Sequence, residues 1–125
     1  MLPEPARLRR RADFDEVVRR GARAGRSTVV VHLDTAGDRH QAGFIVSKQV
    51  GNSVSRHRVS RQLRHLMAAR LATLPAGTRV VVRARPAAAG QTSATLGADL
   101  DGALRRVCGA DLGNRSRSGP TGAGR

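Results

Sequence analysis

Residues 46–65, Val-Ser-Lys-Gln-Val-Gly-Asn-Ser-Val-Ser-Arg-His-Arg-Val-Ser-Arg-Gln-Leu-Arg-His, carry the chain out of an extended run, through a sharp turn and into a helix. Gly51-Asn52 ends the β-branched pattern. From Ser53 to Leu74 the apolar positions Val59, Leu63, Leu66, Met67 and Leu74 then share one face at about 100° per residue. His57, Arg58, Arg61, Arg64 and His65 fall on the opposite arc. A strand leading into a long helix with one apolar and one basic face is the nucleus from which the rest of the fold can be read.

Upstream, Ala12 to Arg20 place Phe14, Val17 and Val18 at helical spacing, and Gly21 stops that helix. Thr28–Leu33 and Ala42–Ser47 are apolar, β-branched runs joined by the polar segment Asp34–Arg39 with Gly37 inside it. This pattern predicts an antiparallel hairpin. Downstream, Pro75-Ala76-Gly77 break the long helix, Thr78–Arg83 read as a strand and Pro86–Ser93 as a small-residue loop. Leu96, Leu100, Leu104 and Val107 define a last amphipathic helix. The order α-β-β-α-β-α predicts an α/β (α+β) two-layer sandwich, with helices covering one face of the sheet. Residues 1–108 form the single domain that 125 residues allow. Residues 109–125 are mostly Gly, Ser, Asn and Arg with little to bury, and are expected to be a disordered basic tail in which Arg115, Arg117 and Arg125 touch RNA weakly.

Charge narrows the function. Twenty-three Lys+Arg against 9 Asp+Glu give a formal net charge of +14, which suits a polyanion binder better than a metabolite enzyme. Nearly all the basic residues are arginine, whose planar fork matches phosphate oxygens and stays charged when partly buried. Between Arg39 and Ala98 there is no acidic residue at all, so the arginines of the long helix lack local partners for i,i+4 pairs. Lys48 and Arg56 bracket the N-terminus of that helix, where unpaired backbone N–H groups already favour an anion.

Other classes are disfavoured. Phe14 and Phe44 are the only aromatic residues, too few for a binder that stacks bases on an aromatic platform. Cys108 stands alone, which argues against a disulfide framework or a thiolate metal cage and makes a cytoplasmic location the expectation. No apolar run is long enough to span a membrane, and the first residues, with Glu4, do not read as a signal peptide. No carboxylate pair, metal-ligand cluster or Ser/His/Asp arrangement is apparent. His57 and His65 imitate a general-base pair but have no carboxylate to orient them.

The pattern Lys48-x-x-Gly51-Asn52-Ser53-Val54-x-Arg56-His57-Arg58-Val59-x-Arg61-x-x-Arg64 resembles the signature of the bacterial ribonuclease P protein subunit, K-x-x-G-N-A-V-x-R-N-R-x-K-R-x-x-R. The likeness extends to Leu8-Arg9-Arg10 with Asp13-Phe14-x-x-Val17, to Gly43-Phe44-x-Val46-Ser47-Lys48, and to Val80-Val81-Val82-x-Ala84-Arg85-Pro86, so that it covers roughly residues 7–108. The resemblance implies a mixed sheet with an unusual left-handed βαβ crossover, where such connections are normally right-handed. It implies a protein subunit that assists a catalytic RNA in removing the 5′ leader from precursor tRNA and carries no catalytic residue of its own. Its partners would be that RNA and precursor tRNA, with no membrane and no protein partner inferred. Magnesium would be held mainly by the RNA subunit and substrate phosphates.

By the same resemblance, Lys48, Asn52, Arg56, His57, Arg58, Arg61 and Arg64 would meet RNA, while Phe14, Val29 and Val31 would line a cleft for the leader. Asn52 reads equally as an N-cap, and Phe14 equally as core. Phe44 reads as core. The chain departs from the usual signature at His57, where Asn is typical, and at Ser60, where Lys is typical. The loss of a Lys there should lower salt dependence slightly. A structural RNA-binding protein of ribosomal type is the main alternative. A DNA-binding helix-turn-helix lacks its companion helix upstream, and a metal-dependent nuclease lacks carboxylates.

Overall fold

The computed structural model describes the backbone of residues 6–118 and the side chains of residues 6–109. In chain order it contains α1 (Arg11–Arg20), β1 (Ala22–Gly25), β2 (Val29–Asp34), β3 (Gln41–Ile45), a 3₁₀ turn (Lys48–Val50), α2 (Ser53–Leu71), β4 (Arg79–Ala84), a second 3₁₀ turn (Pro86–Ala88) and α3 (Ser93–Ser118). The strands form one mixed sheet in the order β1-β2-β4-β3.

The α+β class with a mixed sheet is as the sequence predicts, but the helices do not all cover one face, since α1 packs on the opposite side of the sheet from α2 and α3, and the strand pairing also differs. β2 and β3 do not form a hairpin. β4 lies between them, antiparallel to β2 with Val31 opposite Val82, and parallel to β3 with Phe44 opposite Val82. The reason lies in composition. Val80, Val81 and Val82 are all fully buried, so β4 has apolar side chains for both faces and takes a central position. A strand whose two faces are both covered gains more by sitting between neighbours than at an edge, and the connection over residues 35–40 is long enough to let β3 pass to its far side. β3 and β4 are therefore adjacent parallel strands joined through α2.

The order also gains a strand that the sequence pattern hid. β1 reads Ala-Arg-Ala-Gly, with no β-branched residue to announce it, yet it pairs antiparallel with β2 from Ala22 opposite Leu33 to Gly25 opposite Val30. Tertiary pairing overrides a weak propensity here.

On one face, Val29, Val31, Leu33, Val80, Val82, Ala84 and Ala42 pack against Val59, Leu63, Met67 and Leu71 of α2 and Leu96, Leu100, Leu104 and Val107 of α3. The two helices are tied to this layer by polar contacts. The Thr28 amide and hydroxyl both donate to Asp99 Oδ2, at 3.1 and 2.6 Å. Arg70 Nε and Nη2 donate to the Asp101 carboxylate at 2.6 and 3.2 Å, joining α2 to α3. On the other face α1 covers only part of the sheet, through Leu8, Val17 and Val81 with Phe14 and Ile45 at the margin. Gly43 permits this approach, since a Cβ there would overlap the Phe14 ring.

α3 continues past Gly109, where composition predicts the chain to leave regular structure, and its backbone is helical to Ser118. Its anchored turns supply the nucleus, so each added residue needs only a propagation step. Of the expected tail, residues 119–125 lie outside the described residues. No helix among the described residues is long and apolar enough to cross a membrane.

Candidate nucleic-acid interface

α2 begins with a built cap. Asn52 is extended, and its Oδ1 accepts a hydrogen bond from the Ser55 amide at 3.0 Å. Gly51 just before it has φ +153°, a conformation that favours glycine. The cap reading of Asn52 is thus realised, while its amide NH₂ is left on an exposed residue as a possible donor.

Beyond the cap, His57, Arg58, Arg61 and His65 are exposed on the outer face of α2. Arg64 is half-buried toward β3, where its Nη2 donates to Ser60 Oγ at 2.9 Å. Arg56 is also half-buried, and its Nε is enclosed without a hydrogen-bond partner. Among the described residues no carboxylate lies within ion-pair distance of these four arginines. Like charges one turn apart repel, so such a face is favourable only against an external anion.

Lys48 does not share that face. It joins Ser47, Gln49, Arg23, Val30, Ile45, Arg83 and Arg85 around a groove on the sheet surface that α1 leaves open. Register explains the assembly. Ile45, Arg83 and Val30 lie side by side across β3, β4 and β2, and Arg23 lies opposite His32 one step further along. Ile45 and Phe14 both pack against the Leu8, Val17 and Val81 cluster, but the Phe14 ring lines a separate pocket, with Gly43, Phe44, Ser60 and Arg64. Arg85 is partly held, its Nη1 donating to the Arg26 carbonyl at 3.1 Å. The result is an apolar floor of Val30 and Ile45 rimmed by four cationic side chains.

His32 lies beside this groove, 4% exposed, with its Nδ1 buried and unpartnered. Burial first, then the nearby Arg83 and Arg23 charges, push its pKa below the ordinary imidazole value. His32 is therefore neutral near pH 7 and adds no charge of its own.

Two expected cleft residues are misplaced in the sequence reading. Val29 and Val31 are both 0% exposed and point into the core against α2 and α3. The open face carries Val30 and His32 instead, because side chains alternate along a strand and an offset of one residue exchanges the faces. Phe14 is partly buried, packed against Leu8, Val17 and Val81 and over Gly43. Arg23, Arg83 and Arg85 are not among the contacts expected from sequence, because β1 gives Arg23 no strand signal, Arg83 ends a run that reads as a structural strand, and Arg85 lies just past β4. The signal was present in Arg79, Val81 and Arg83, a period-two set that gives β4 a polar end on one face.

The carboxylates are employed elsewhere. Asp34 receives a two-pronged contact from Arg79 at 2.9 and 2.8 Å, and Glu16 of α1 accepts from the same guanidinium at 2.9 Å. These groups do not fit a magnesium site of the protein's own. Among the described residues no cluster of three or more His, Cys, Asp or Glu is placed to hold a metal, and magnesium prefers oxygen ligands that neither basic region offers.

Comparison with known proteins accords with this geometry. The family model described as Ribonuclease P matches residues 2–108. The ribonuclease P protein component of Streptomyces avermitilis is 53% identical over 119 residues, covering 87% of this chain and 97% of the relative. That of Acidothermus cellulolyticus is 51% identical over 110 residues, covering 86% and 92%. The solved structure of the Staphylococcus aureus RNase P protein superposes with a TM-score of 0.72 at 25% identity, covering 82% of this chain and 97% of that one.

Proposed function

Because the chain belongs to the ribonuclease P protein family, we propose that its two basic regions divide the work of the protein subunit in tRNA 5′ processing. The outer face of α2 binds the RNA subunit, and the sheet groove takes the single-stranded 5′ leader of precursor tRNA. The observation that carries this division is the unbalanced charge. Half-buried Arg56 and Arg64 and exposed Arg58 and Arg61 have no carboxylate partner among the described residues, whereas the other buried or half-buried arginines described, Arg70 and Arg79, do.

In the groove, Lys48, Arg23, Arg83 and Arg85 supply charge for backbone phosphates. Val30 and Ile45 supply an apolar floor, and Phe14, in a separate pocket beside Arg64, is the aromatic contact to the leader beyond that groove. A leader held by cations on an aliphatic floor is read by shape and charge more than by stacking. His57 serves as a hydrogen-bond donor on α2, and Asn52 fixes the start of the helix while presenting its amide.

The hydrolytic chemistry belongs to the RNA subunit. Magnesium, when bound, supplies charge neutralisation at the scissile phosphate and is held chiefly by RNA oxygens. This chain contributes by lowering the repulsion between two polyanions. A cytoplasmic location goes with that role.

The test is cleavage of 5′-labelled precursor tRNA at low magnesium by the protein alone, the RNA subunit alone, and both. The expected result is efficient cleavage only with both, lost in a folded Arg58→Ala/Arg61→Ala variant. Cleavage by the protein alone would make it a nuclease. Failure to stimulate the RNA would favour a structural RNA-binding protein.

A further inference from the structure

Val54 is 76% exposed, against 40% for Val18, the other large hydrophobic residue that stands out from the described surface. It lies at the second helical position of α2, after the Asn52 cap and before the apolar seam begins at Val59. It therefore neither caps the helix nor packs in the core, and a β-branched residue adds nothing to helix propensity. Single exposed valines are ordinary on most surfaces. This one is not on an ordinary surface. At about 100° per residue it falls between Arg61 on one side and Arg58 and His65 on the other, in the middle of the cationic stripe. A cation there would strengthen attraction to phosphate, whereas a valine interrupts it.

We infer that Val54 is an apolar contact to the RNA subunit, packing against the sugar or base face of a nucleotide whose neighbouring phosphates are held by Arg58 and Arg61. Along the helix axis Val54 precedes Arg58 by about 6 Å and Arg61 by about 10 Å, within reach of one RNA strand. The inference rests on the reading that α2 faces RNA. Phosphate contacts weaken with salt through counterion release, while an apolar contact does not, and this separates the two contributions.

The experiment measures affinity for the RNA subunit across a salt series for wild type, Val54→Lys, Val54→Ala and Arg58→Ala/Arg61→Ala, each checked for unaltered thermal unfolding. Val54→Ala should bind about threefold more weakly with an unchanged salt slope, and Val54→Lys about fivefold more weakly at high salt despite its added charge. Tighter binding by Val54→Lys at every salt concentration, with a steeper slope, would overturn the inference and leave Val54 a bystander on an electrostatic surface. If Arg58→Ala/Arg61→Ala changes neither affinity nor slope, the reading of α2 itself fails and the inference falls with it. If that double variant loses both while Val54→Lys gains, only the role of Val54 is rejected.

Discussion

At the end of the sheet beneath α1, Arg79 is buried among carboxylates; along the outer face of α2, Arg58 and Arg61 stand in water with none. Arg79 gives two hydrogen bonds to Asp34, a third to Glu16, and lies 3.8 Å from Asp13, so one guanidinium joins β4, β2 and α1. The hydrogen bonds it donates to Asp34, opposed by burial and helped by Glu16, raise its pKa beyond the ordinary arginine value, and it stays charged. The contrast teaches that arginine count alone says little about binding. What separates a structural arginine from a functional one is whether the fold supplies its counter-charge.

The largest effect should come from breaking the buried group. Arg79→Ala leaves Asp34, 12% exposed at its side chain, without its partner. Removing one member of a buried pair costs about 3–5 kcal/mol, which denaturant unfolding would measure. If the loss were under about 1 kcal/mol, in the range of exposed ion pairs, the distinction between the two regions would collapse. Gly43→Ala tests the support for α1 from the other side. Its Cβ would overlap Phe14, and overpacking of this kind costs about 1–3 kcal/mol.

Arg58→Ala/Arg61→Ala should show the reverse pattern. Stability should stay within about 0.5 kcal/mol, since surface changes away from special features do little. The slope of log affinity for RNA against log salt should fall by about 1.4–1.8, for two lost phosphate contacts. A clear loss of stability would mean that these side chains have partners within the protein.

The smallest expected effect concerns His32. Its pKa is lower in the folded chain than in the unfolded one, so the unfolded state binds more protons as pH falls. Stability should therefore be fully present above about pH 6.5 and decline as pH falls below it. His32→Gln should flatten that decline in unfolding experiments between pH 7 and 5. An unchanged acid limb would assign it to other groups.

Periodicity made α2 legible because the apolar seam at Val59, Leu63 and Met67 is a local property of one helix. The basic face was legible for the same reason, helped by the absence of any acid from Arg39 to Ala98. The sheet was read less well. Ala22–Gly25 carries no β signal of its own, and the hairpin reading failed because adjacency in sequence is only a tendency toward adjacency in space. Val29 and Val31 were assigned to the wrong face for want of the one fact that alternation cannot supply, which side of the strand meets the helices.

The sequence by itself determined the elements, the polyanion-binding character and the cationic helix, since these follow from residue type and spacing along a short stretch. Only the tertiary structure decided that β4 runs between β2 and β3, that Arg79 is bound while Arg61 is not, and that Lys48, Arg23, Arg83 and Arg85 meet around one groove. Each of those depends on contacts between segments distant in the chain, where burial and charge pairing are settled by packing rather than by local pattern.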